Sequence, residues 1–245
     1  MTGFFDFASD ELRDSRNNLA TLLRNSPIPD NELLHNLLLY SSPALISRFL
    51  SLERIYKIAL ESHGDILEMG TRWGQNIAIF NSLRSIYEPY NRFRRIIAFD
   101  TFEGFPEIDP IDGSKFKAGS FSTTADYYAY LNKVISYLDK ENVKPCQNLI
   151  EVIKGDAVEN VKKYINDNPS TIVSLAFFDF DIYKPTKKCL QYIFPRLVKG
   201  SVVAFDEAND KDCPGETQAI IEEIGLNNIS LKRSHINSRI SYFVF

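Results

Sequence analysis

Two segments place acids where an apolar run stops. Ser174-Leu175-Ala176-Phe177-Phe178 leads into Asp179-Phe180-Asp181, and Ser201-Val202-Val203-Ala204-Phe205 leads into Asp206-Glu207. If both runs are neighbouring strands, up to four carboxylates reach one sheet edge, which raises their pKa values or demands a counter-ion. Ligands that are all oxygen select a hard cation, Mg²⁺ first, with Mn²⁺ or Ca²⁺ as further choices. Glu68 and Asp100 lie at the ends of two more apolar runs. Each acid taken singly fits a helix N-cap or a solvated loop better than a metal site; the grouping is what points to a cation.

The acid Glu68 opens a second feature, Glu68-Met69-Gly70-Thr71-Arg72-Trp73-Gly74. Gly70 and Gly74 permit positive φ and close approach of a ligand, and Ile77, Ala78, Phe80 and Leu83 then resume at helical spacing. A strand, tight turn and helix follow from this pattern, with backbone N–H groups free at the helix start to bind a polar or anionic small molecule. The dinucleotide fingerprint Gly-x-Gly-x-x-Gly is absent, because arginine stands at position 72. The turn alone also fits other α/β proteins. With Asp100 closing the next strand, however, it resembles class I S-adenosylmethionine (SAM) methyltransferases. That resemblance implies that Glu68, Gly70, Thr71 and Gly74 hold the methionine part of SAM. It also implies that Asp100 takes the ribose hydroxyls beside Thr101 and Phe102, and that Asp156 and Ala157 flank the adenine near Asp179. Asp156 equally suits a helix N-cap with Glu159 as its partner.

Strand-like runs at 65–69, 96–100, 149–153, 173–179, 201–206, 229–235 and 239–245 alternate mainly with helical patterns, which predicts a doubly wound α/β sheet closed by an antiparallel C-terminal hairpin. Ligands of such sheets bind beyond the carboxyl ends of the strands, where the acids lie. Residues 1–62 carry leucines at helical spacing broken by prolines and read as an N-terminal helical cap, leaving 63–245 as the main domain. Within it, 101–145 is long enough to serve as a lid or a mobile segment. Its Tyr, Phe, Ser and Thr content suits either contact with a polyhydroxylated substrate or packing on the sheet edge.

A chain of 245 residues, 44% hydrophobic with a net charge of −4, can bury a full core and has no basic surplus to bind nucleic acid. The Arg92-Phe93-Arg94-Arg95 run reads as solvation of the turn before a strand. There is no apolar stretch of bilayer-spanning length and no secretory pattern at the start, so a soluble, cytoplasmic protein without membrane insertion is expected. Cys146, Cys189 and Cys213 have no metal-ligand spacing, and His35, His63 and His235 are scattered; structural roles are expected for all of them.

Four motifs in order point further: Phe102-Glu103-Gly104-Phe105-Pro106, Asp179-x-Asp181-x-Tyr183-x-x-Thr186, Phe194-Pro195-Arg196-Leu197 before Gly200, and Asp206-Glu207. Over about residues 64–209 they resemble the macrocin O-methyltransferase family, SAM- and metal-dependent enzymes that methylate sugar hydroxyls. The resemblance implies a Rossmann-like seven-stranded fold and metal ligation by Asp179, Asp206 and Glu207. Where the family usually has two aspartates, this chain has Asp206-Glu207, and Phe180 replaces a usual glycine. The expected substrate is a small-molecule sugar or sugar nucleotide. Asp181 is the candidate base or positioning group, Lys184 its alternative, and a homodimer is a possible assembly. Competing readings are methylation of catechol-like phenols and a non-catalytic SAM- or sugar-nucleotide-binding protein.

Overall fold

The alternation expected from the sequence is present in the computed structural model, which describes residues 9–145 and 149–245; Cys146 lies outside them. In chain order the elements are α1 (Asp10–Arg24), α2 (Asp30–Leu33), a 3₁₀ segment (Leu34–Tyr40), α3 (Pro43–Ala59), β1 (Asp65–Met69), α4 (Gln75–Tyr87), β2 (Ile96–Asp100), α5 (Tyr127–Leu138), β3 (Ile150–Lys154), α6 (Ala157–Asp167), β4 (Val173–Phe178), α7 (Tyr183–Ile193), β5 (Leu197–Phe205), α8 (Pro214–Glu223), β6 (Lys232–Arg233) and β7 (Ser241–Val244).

The strands form one sheet in the order β3-β2-β1-β4-β5-β7-β6. β1 to β5 pair in parallel, and β7 runs antiparallel to both β5 and β6. Strand order reverses between β1 and β4, which opens a crevice at their carboxyl ends. Register fills that crevice with the predicted residues. Met69 lies opposite Phe178 and Phe178 opposite Phe205, so Gly70, Asp179 and Asp206 leave three neighbouring strands side by side.

The central strands are buried on both faces. Leu67, Met69, Phe178 and Phe205 pack with α6, α7 and α8 on one side, while Ile66, Leu175 and Phe177 pack with α3 and α4 on the other. Cys189 and Cys213 are buried.

Some expectations change in detail. The strand expected over 229–235 shrinks to the exposed pair Lys232–Arg233, and β5 begins earlier, at Leu197. The arginine run is divided: Arg92 is exposed at the turn as expected, whereas Arg95 pairs with Asp65 and Arg94 turns inward. Arg94 is 4% exposed, donating to the carbonyls of Gly64 (3.1 Å) and Ser62 (2.8 Å) and pairing with Glu88, because a buried guanidinium with several carbonyl partners stitches α3 to the start of β1. In the N-terminal region only α3 packs on the sheet; α1, α2 and the 3₁₀ segment bury no residue, and Leu34 and Leu38 are 75% and 73% exposed. Among the described residues no helix is long and apolar enough to cross a membrane.

The segment before α5 is folded against the start of α7, where Asp112 Oδ1 accepts the Tyr183 N–H at 2.6 Å. Phe105, Phe116 and Phe121 form a ring cluster with centroids 5.2 to 5.7 Å apart, and main-chain bonds join Phe105 to Ser120 and Gly119. α5 then packs Leu131 and Ile135 beside Ile77 and Phe102.

Candidate active site

Gly70 has φ +96°, and a Cβ there would stand 2.1 Å from the carbonyl oxygen of Asp179. The two strand ends can be this close only because position 70 lacks a side chain. Asp100 holds the turn that follows. One of its oxygens accepts the N–H groups of Thr71 (2.8 Å) and Arg72 (2.7 Å), and the other accepts that of Phe102 (2.6 Å). A carboxylate has about four lone-pair sites, so capacity remains for ribose hydroxyls.

Gly70, Thr71, Asp100, Thr101, Asp156 and Ala157 all line one cavity of about 280 Å³, which Asp179, Asp181, Asp206 and Glu207 also reach. Asp156 is the N-cap of α6, accepting from the Glu159 N–H at 3.1 Å, and it also borders the cavity. Gly74 caps α4 at φ +78°. Glu68 is fully buried behind the turn, within 3.4 Å of the Thr71 hydroxyl. Phe102 is directed away from the cavity into the core with Leu131 and Tyr128, so only its main chain faces the turn.

Lys184 does not line the cavity. Its ammonium is half exposed and paired with Glu107 at 3.0 Å, and that hydrogen bond raises its pKa, the wrong direction for accepting a proton. The first turn of α7 points it outward, away from the strand ends.

The acids are grouped as expected, with one change of partner. Asp179, Asp181 and Glu207 each offer a carboxylate oxygen, all within 4.8 Å of one another. Asp206 stands outside this trio; its Oδ1 accepts a hydrogen bond from Arg48 at 2.8 Å. The oxygen-only donor set, together with the buried Glu207 Oε2 that has no hydrogen-bond partner, fits a hard divalent ion. Asp181 adopts φ +60°, a strained backbone that turns the chain back toward the cavity.

Sequence reasoning missed four groups. Arg48, on α3, and Asn76, on α4, both bond Asp179; Arg239 pairs with Glu207 at 3.2 Å; Glu216, on α8, accepts the Glu207 N–H at 2.8 Å. For Arg48 a signal existed, since it is a lone cation in the apolar run from Ala44 to Leu50.

The Asp179 carboxyl is pushed up to about 7, chiefly by burial, with Asp206 adding to the rise and Arg48 opposing it. Burial likewise raises Asp181, Glu207, Glu216 and Glu68. A carboxyl with a higher pKa folded than unfolded keeps its proton in the folded chain after the unfolded chain has lost it. Stability therefore falls as pH climbs from the ordinary carboxylate range through the raised value. In EDTA the protein is expected to melt at a higher temperature at pH 5 than at pH 8. Equal melting temperatures at both would refute the burial of uncompensated carboxyls.

No protein-family model matches the chain, and no curated protein matches it. Among solved structures, that of CalS11, a calicheamicin methyltransferase, is 37% identical with a TM-score of 0.94, the match covering 98% of this chain and 95% of that one. The apo structure of CalS11, described as a TDP-rhamnose 3'-O-methyltransferase of calicheamicin biosynthesis, gives 34% identity and a TM-score of 0.87 over 98% and 97% of the two chains. The O-methyltransferase NovP, at 17% identity and a TM-score of 0.56 over 81% and 79%, shares the fold.

Proposed function

The chain belongs to the sugar O-methyltransferase family, and from that premise we propose that it moves the methyl group of SAM to a hydroxyl of a nucleotide-linked sugar or related sugar precursor, with a divalent ion in the site. The observation that carries this reading is that the glycine turn and the acidic trio line the same cavity. When bound, SAM supplies an electrophilic methyl, and a divalent ion polarises the acceptor hydroxyl and lowers its pKa.

The chain's own residues do the rest. Gly70, Thr71 and Gly74 admit the methionine part, Asp100 takes the ribose, and Asp156 and Ala157 border the adenine. Asp179, Asp181 and Glu207 hold the ion. Because a sugar hydroxyl is a weak nucleophile near neutral pH, a base must take its proton, and a buried carboxylate in contact with the cavity can do so. Asp181, which offers the ion one carboxylate oxygen, is the group proposed for that role through its other oxygen. The aromatic segment at 101–126 acts as the lid that keeps water from the reacting atoms.

The test is transfer of labelled methyl from SAM to TDP-rhamnose and other nucleotide deoxysugars, with a catechol as the contrasting acceptor. Activity is expected on a sugar, to fall at least about tenfold in EDTA and to return with Mg²⁺. Full activity after chelation would reject the ion, and activity confined to catechol would reject the sugar.

A homodimer is also proposed. α1 and the 3₁₀ segment expose Leu12, Leu22, Leu34, Leu38 and Leu39, apolar side chains of the kind that mark an interaction surface when they lie together. Sedimentation at micromolar concentration is expected to give twice the chain mass; a single-chain mass would reject this.

A further inference from the structure

Arg48 is the cation closest to the strand-end acids. From α3 its Nη2 donates to Asp179 Oδ2 at 2.6 Å, its Nη1 to Asp206 Oδ1 at 2.8 Å and its Nε to Asn76 Oδ1 at 3.0 Å. Its guanidinium also lies 5.6 Å from the Phe177 ring centre, and its side chain is only 17% exposed. All three of its nitrogen groups are thus engaged in a fixed fork, a geometry that a lysine cannot reproduce.

The acids it holds overlap the proposed ion ligands. Asp179 belongs to the trio with Asp181 and Glu207, yet its Oδ2 is already shared by Arg48 and Asn76, leaving Oδ1 for an ion. Asp206 is bound to Arg48 and lies outside the trio. Arg239, 3.2 Å from Glu207 and 3.1 Å from Asp210, supports the opposite side.

We propose that Arg48 is a resident counter-cation that competes with the divalent ion for Asp179 and withholds Asp206 from it, so that this arginine sets the affinity and the ligand set of the ion site. The inference rests on the metal reading given above. A purely structural ion pair would behave oppositely: removing it would loosen the acids and weaken ion binding. A competing cation, once removed, frees two oxygens and deepens the negative potential that draws a divalent ion.

The experiment is calorimetric titration of Mn²⁺ into the metal-free full chain, as wild type, Arg48→Gln and Arg48→Lys, with circular dichroism to check folding. Arg48→Gln is expected to bind Mn²⁺ at least tenfold more tightly than wild type. Unchanged or weaker binding by this variant, with clear binding by wild type, overturns the proposal and leaves the metal reading standing. No Mn²⁺ binding by any of the three proteins overturns both. If Arg48→Gln does not fold, Arg48→Lys decides: it keeps the charge but releases one carboxylate, so it must bind more tightly than wild type, and equal or weaker binding overturns the proposal.

Discussion

Asp179→Asn is expected to lower kcat/KM for methyl transfer by about a thousandfold, the scale on which a group serving both metal ligation and charge placement acts. The amide keeps the side chain's shape but loses the charge that meets Arg48 at 2.6 Å and closes the trio with Asp181 and Glu207. Asp206→Asn makes the sharper comparison. If Asp206 serves Arg48 and not the ion, its loss removes a charge from the neighbourhood without removing a ligand, and Mn²⁺ affinity falls by less than about tenfold, against about a hundredfold or more for Asp179→Asn. Activity of Asp179→Asn within threefold of wild type would remove this aspartate from the reaction. An equal loss of Mn²⁺ affinity in the two variants would restore Asp206 to the ligand set.

Gly70→Ala is expected to cost on the order of 3 to 5 kcal/mol in stability and to abolish SAM binding. Two separate penalties add. At φ +96° an alanine carries backbone strain of about 1–3 kcal/mol, and its Cβ would lie 2.1 Å from the Asp179 carbonyl oxygen, main chain that cannot rotate away. Relief requires β1 and β4 to part, which moves Asp179 and the turn held by Asp100. Gly113→Ala separates the two penalties. At φ +78° and ψ −168° it carries strain of about 1–3 kcal/mol, but nothing lies within 4 Å of its added Cβ, so it should lose only that and leave binding intact. Thermal melts and calorimetry with S-adenosylhomocysteine measure both; Gly70→Ala binding the cofactor product like wild type would refute the close-approach account.

The sheet was legible because its signal is local. β1 and β2 fall on their expected residues, since an apolar run ended by glycine or aspartate needs no partner to be recognised. β6 was overestimated because Ile229, Leu231 and their neighbours are apolar enough to read as a strand, yet this edge meets β7 only at Lys232 and Arg233. The acids at the strand ends were legible for the same local reason.

Their counter-charges were not. Arg48 is separated from Asp179 by 131 positions and from Asp206 by 158, and only the sheet order brings them together. Lys184 misled because proximity in sequence to Asp181 says nothing of direction, and the start of α7 turns the side chain toward Glu107. The N-terminal leucines show a third limit. Their helical spacing announces an apolar face, but composition alone does not separate α3, which meets the sheet, from α1, which touches the 3₁₀ segment and buries no residue.

The contact between α5 and the glycine turn restricts how an acceptor can enter. The Tyr127 hydroxyl donates to the Trp73 carbonyl at 2.9 Å, and a Cβ on Gly74 would meet Leu131 at 2.4 Å, so this helix and the donor-gripping loop move as one body. On the proposed reading, an opening for the acceptor falls ahead of Tyr127, in the stretch where Gly113 and Gly119 have open space around them, while the helix behind it stays put as the doorpost.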